Sequence, residues 1–81
     1  MANIVIVEDD IFLREELQNI LQKEGYFVVS ISSFNTPVED IIAAKPGLVL
    51  LDLNLPNLSG FQICRTLKMK GIGPILILTA R

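Results

Sequence analysis

Short apolar runs and amphipathic stretches alternate along the chain. Residues 3–7, Asn-Ile-Val-Ile-Val, form a continuous, largely β-branched run, as expected of a strand buried on both faces. Residues 11–24 change to helical spacing. Leu13, Leu17, Ile20 and Leu21 fall at i, i+4, i+7 and i+8 and make one apolar stripe, while Arg14, Glu15, Gln18, Gln22 and Lys23 lie off it. Gly25 is placed to stop this helix. Tyr26–Ile31 reads as a second strand. Thr36-Pro37-Val38-Glu39 reads as a capping box with proline in the first turn, opening a second helix to about Ala44 that Pro46 prevents from continuing. Leu48–Leu51 is a third, purely apolar strand ending on Asp52. Leu53–Ser59 is a loop. Gly60 to about Lys70 is a third helix, with Phe61, Cys64 and Leu67 or Lys68 at helical spacing and Gly71 and Gly73 closing it. Pro74–Leu78 is a fourth strand. The order β-α-β-α-β-α-β predicts an α/β fold built on a parallel sheet. Phe61, Cys64 and Met69 are read as packing residues, Asp10 as the cap of the first helix, and Asn57 and Ser59 as caps of the third.

Composition narrows the class. A chain of 81 residues holds one small domain. Hydrophobic residues make up 51% and the mean hydropathy is +0.51, which fits strands covered on both faces. It does not fit a membrane span, because Ile4–Val7 and Ile75–Leu78 are far shorter than the ~20 apolar residues a spanning helix needs. No charged stretch followed by a long apolar core marks a signal peptide. Net charge is −2, and the seven lysines and arginines are scattered, so no direct contact with nucleic acid is expected. One cysteine and no histidine exclude an internal disulfide and a Cys/His zinc site. The expected compartment is the cytoplasm.

The polar residues that bear chemistry stand at strand ends. The first strand runs into Glu8, Asp9 and Asp10, the third into Asp52, the fourth into Thr79. Ligands of open parallel sheets bind outside the carboxyl ends of the strands, where strand order reverses. If the first and third strands are neighbours, Asp9 and Asp52 meet there despite lying 43 positions apart. Clustered carboxylates stay ionised together only with a cation between them, and an all-oxygen, open site suits magnesium or manganese. Such a site orients and neutralises a phosphate, and a carboxylate beside the metal is a competent nucleophile that forms an aspartyl-phosphate. The Thr79 hydroxyl is placed to donate to a phosphoryl oxygen. Each piece also has a plainer reading: an acidic run as a helix N-terminus, Asp52 as a turn former, Thr79 as a strand end. The joint pattern carries the weight.

Three motifs resemble those of bacterial response-regulator receiver domains of two-component phosphorelay signalling. They are Ile4-Val5-Ile6-Val7-Glu8-Asp9-Asp10, Leu50-Leu51-Asp52-Leu53-Asn54-Leu55-Pro56-Asn57-Leu58-Ser59-Gly60 and Pro74-Ile75-Leu76-Ile77-Leu78-Thr79-Ala80-Arg81. The resemblance covers the whole chain. It implies a flavodoxin-like doubly wound sheet with strand order 2-1-3-4, and it implies a signalling domain that is not an enzyme. Asp52 is then the phosphoacceptor. Asp9, Asp52 and the Asn54 backbone carbonyl are metal ligands, with Glu8 acting through water. Thr79 is the switch hydroxyl, Ala80 the small residue that leaves the phosphoryl site accessible, and Pro56 and Gly60 shape the loop. The implied partners are a sensor histidine kinase and an output domain, and the Thr-Ala-Arg ending is similar to transcription regulators with a winged-helix DNA-binding domain.

The resemblance also implies a departure. Receivers have five strands and five helices, so residues 1–81 match the N-terminal two-thirds. The later helices, the fifth strand, a phosphate-contacting lysine and an aromatic switch residue find no match here. An uncovered fourth strand is then expected to promote self-association through its edge. The alternative function is a receiver-derived association module with a vestigial metal pocket. A magnesium-dependent phosphohydrolase ranks last, because Asn54 stands where that chemistry wants a second acid.

Overall fold

The computed structural model describes residues 3–31, 35–53, 55 and 58–78. Its elements are β1 (Asn3–Val7), α1 (Ile11–Lys23), β2 (Phe27–Ile31), α2 (Pro37–Ala43), β3 (Pro46–Asp52), α3 (Gly60–Met69) and β4 (Ile75–Leu78). All strand pairs are parallel, in the order β2-β1-β3-β4. The predicted order of elements and of strands is therefore the observed one. β1 lies centrally, with Val5 opposite Val29 on one side and Val49 on the other.

Strand alternation divides the core into two layers. Val5, Val7, Val49 and Leu51 face α2 and α3, and pack with Ile41, Leu55, Ile63 and Leu67. Ile4, Ile6 and Leu50 face the opposite way and pack with Leu17 and Leu21 of α1. This two-sided burial is why β1 and β3 read as unbroken apolar runs.

Local chemistry sets the helix ends. Asp10 caps α1, its Oδ1 accepting from the Phe12 N–H at 3.0 Å and the Leu13 N–H at 3.2 Å. Ser59 caps α3 by accepting from the Gln62 N–H at 3.1 Å. Gly25, at φ +95°, supplies the left-handed residue after α1. The capping box expected at Thr36 does not form. Thr36 has ψ 63°, away from the extended backbone of Asp10 and Ser59, and its hydroxyl donates to Asp40 Oδ1 instead of accepting a helix N–H. β3 begins at Pro46, two residues before the expected start, because a proline is tolerated as the first residue of a strand.

Two expected packing residues are on the surface. Phe61 is 71% exposed and Met69 84% exposed. The inward face of α3 runs through Gly60, Ile63 and Leu67, and Phe61 lies one residue, about 100° of helix, past Gly60. Cys64 is half-buried against the larger core cluster, as expected. In α1, Leu13, Leu17 and Leu21 are half-buried, while Ile20 at the flank of the stripe stays exposed. Among the described residues, no helix is long and apolar enough to cross a membrane.

Candidate metal centre

β1 and β3 pair in register up to Val7 and Leu51, so the next residue on each strand, Glu8 and Asp52, emerges side by side at the carboxyl edge of the sheet. Asp9 follows in the same turn. One oxygen from each of Glu8, Asp9 and Asp52 lies within 4.8 Å of the others. Neighbouring parallel strands thus bring together residues 43 positions apart, as expected once the first and third strands are neighbours.

The cluster is largely withdrawn from water. Glu8 is 1% exposed and Asp52 3%, while Asp9 is half-buried. Burial raises the Glu8 carboxyl from its ordinary 4.5 to about 7, and its neighbours Asp52 and Asp9 add to the rise. The Asp10 N–H, which donates to Glu8 Oε2 at 3.1 Å, opposes it. Asp9 Oδ1 is buried and has no hydrogen-bond partner among the described residues. A buried anionic oxygen without a donor is costly unless a cation meets it. The three side chains offer only oxygen donors, the choice of hard divalent cations, and magnesium retains several waters, so the three need not all bind it directly. The residues present therefore fit such an ion.

Two backbone features hold the arrangement. Gly60, the first residue of α3, lies against the end of β3. A Cβ at this position would fall on the Asp52 carbonyl oxygen and 2.7 Å from the Leu53 Cα. At the other wall, Arg14 of α1 reaches back, its Nη1 donating to the Glu8 carbonyl at 3.2 Å. The sequence alone marks Arg14 only as a residue off the apolar stripe. The available signal was a cation on the fourth residue of the helix that follows the acidic turn. Asn54, Pro56, Thr79 and Ala80, also expected around the site, and Asn57, expected to cap α3, lie outside the described residues. Leu78, the last described residue, pairs with Asp52.

The model of the response regulator receiver domain matches residues 4–81. The chain belongs to the response-regulator receiver family. Over 81 residues this receiver is 40% identical to the transcriptional regulatory protein YxdJ of Bacillus subtilis, covering all of this chain and 35% of that one. It thus spans about a third of the length of that curated relative. The response regulator TrrA of Thermotoga maritima, solved with magnesium and beryllium fluoride, superposes with a TM-score of 0.88 at 30% identity, over 100% of this chain and 71% of that one. A second structure, of the histidine kinase ThkA in complex with TrrA, gives a TM-score of 0.83 at 31% identity, over 99% and 70%. The receiver fold, the strand order and the class of protein, a two-component signalling domain, follow from these likenesses.

Proposed function

We propose that this receiver accepts a phosphoryl group on Asp52 with a divalent cation, magnesium or manganese, held by Asp9 and Asp52 directly and by Glu8 through water. The observation that carries this reading is the convergence of three carboxylates within 4.8 Å at the ends of two neighbouring strands. The donor is a phosphohistidine on a sensor kinase. An Asp52 oxygen attacks phosphorus, the P–N bond breaks, and its electron pair returns to the imidazole, which takes up a proton. Asp52 is held for this by its backbone, paired with Leu78 of β4 and packed against Gly60. When bound, the cation neutralises the carboxylates and the incoming phosphoryl oxygens.

The Asn54 carbonyl completes the cation's ligands in this reading. Thr79 contacts the phosphoryl group, Ala80 leaves room for it, and Pro56 and Gly60 shape the loop. The expected setting is the cytoplasm, with transcription as the output through a DNA-binding domain carried elsewhere in the protein. The magnesium–beryllium fluoride complex of TrrA, its kinase complex and the regulatory name of YxdJ support the cation, the kinase partner and the transcriptional output in this reading. The association-module alternative is not favoured, since it gives no reason to gather costly carboxylates.

The test is direct. Incubation with acetyl phosphate and magnesium is expected to add the mass of one phosphoryl group, and Asp52→Asn to abolish the addition. Beryllofluoride with magnesium is expected to shift amide resonances around Asp52. No mass change and no shift at saturating reagent would remove the proposal for this chain.

A further inference from the structure

Asp9 raises a positioning problem. Its Oδ1 is buried and has no hydrogen-bond partner among the described residues, so the turn that carries the residue contributes to its placement. That turn is fastened on both sides of Asp9. Before it, the Glu8 carbonyl accepts from Arg14 Nη1 at 3.2 Å. After it, the Asp10 carbonyl accepts from the Arg14 backbone N–H at 2.9 Å. The Asp10 side chain is committed to capping α1, and its N–H to Glu8 Oε2. One residue of α1 therefore holds the carbonyls of both residues beside Asp9: its side chain fixes the Glu8–Asp9 peptide, and its backbone N–H, in the first bond of the helix, fixes the Asp10–Ile11 peptide.

We infer that Arg14 is a positioning residue for the divalent cation, acting through the Glu8 carbonyl to orient the Glu8–Asp9 peptide and with it the Asp9 carboxylate. The inference rests on the reading of Glu8, Asp9 and Asp52 as the cation site. The guanidinium, itself a cation, would not serve as a ligand. It also brings positive charge near the site, which by itself weakens cation binding. Removing Arg14 thus sets two effects in opposition: loss of orientation loosens the cation, and loss of charge tightens it. The half-buried bond to a fixed backbone carbonyl favours orientation, since partners that orient metal ligands are worth about tenfold or more in affinity.

The experiment is a calorimetric titration of the full 81-residue chain with magnesium chloride, with urea unfolding of the metal-free protein alongside. Arg14→Met removes donor and charge and retains the apolar stem. Its magnesium affinity is expected to fall about tenfold, in molecules shown to be folded by circular dichroism. Arg14→Lys retains a charge and a donor without the planar fork and is expected to fall between. A purely structural arginine would lower the urea midpoint and leave the affinity of the folded protein unchanged. Affinity within twofold of wild type, or tighter, overturns the inference. If Arg14→Met does not fold, Arg14→Lys decides alone: weaker binding supports the inference and unchanged binding overturns it. Asp9→Asn separates the two readings. If it abolishes binding while Arg14→Met does not change it, only the role of Arg14 falls. If the wild-type chain binds no magnesium, the cation site and the role of Arg14 fall together.

Discussion

Replacing Gly60 with alanine puts a methyl group where the structure has room only for backbone. The new Cβ would meet the Asp52 carbonyl oxygen, and would stand 2.7 Å from the Leu53 Cα and 3.2 Å from the Asp52 carbonyl carbon. None of these atoms is the end of a flexible side chain, so the contact is relieved only if the start of α3 backs away from the end of β3 by about 1 Å. Overpacking of this kind costs about 1–3 kcal/mol. The intrinsic preference of a helix for alanine over glycine returns up to about 1 kcal/mol, and less in the first turn. The net expectation is a loss of about 1–2 kcal/mol, or roughly 4–16 °C in melting temperature for a chain of this size. Displacement of the Asp52 backbone should also weaken magnesium binding, because Asp52 and Asp9 must stay in mutual register. Two other glycines serve as controls. Gly25 has open space around it but φ +95°, so Gly25→Ala should cost about 1 kcal/mol of stability and leave magnesium affinity alone. Gly73 also has open space, and Gly73→Ala should be near neutral. Urea unfolding and magnesium titration of the three variants check the argument. If Gly60→Ala matches Gly73→Ala in both assays, α3 does not rest on β3 as described.

Three further outcomes are expected. The folded, metal-free chain holds a proton on Glu8 up to about pH 7, whereas the unfolded chain releases it near 4.5, so this group's contribution to stability declines as pH rises through that window. Magnesium should remove the decline and Glu8→Gln should flatten it, as read by urea midpoints at pH 5 and 8. Lys45 has φ +52°, so Lys45→Val should lower stability by about 1–2 kcal/mol, while Lys45→Gly should be neutral or mildly stabilising in a thermal melt. Leu76, on the outermost strand, is 55% exposed, and Leu76→Lys is expected to reduce self-association measured by sedimentation at high concentration.

The order of elements was legible in the sequence because each run carries its own periodicity. The doubly buried strands are continuous apolar stretches, and Asp10, Gly25 and Ser59 mark helix ends with their own chemistry. The acidic site was legible in part for a related reason. In a parallel sheet the strand ends are where side chains escape the core, so Glu8, Asp9 and Asp52 stand out as polar residues closing apolar runs. What sequence periodicity left open was the rotation of α3. A stripe through Phe61 and Cys64 and one through Gly60, Ile63 and Leu67 are both plausible, and the close approach of Gly60 to β3 selects the second. Thr36 failed as a cap because its backbone is not extended, a property no residue type specifies. The raised Glu8 carboxyl and the reach of Arg14 to the Glu8 carbonyl likewise belong to the tertiary structure. Both depend on which groups share a buried volume, and that volume exists only once β3 has taken its place beside β1.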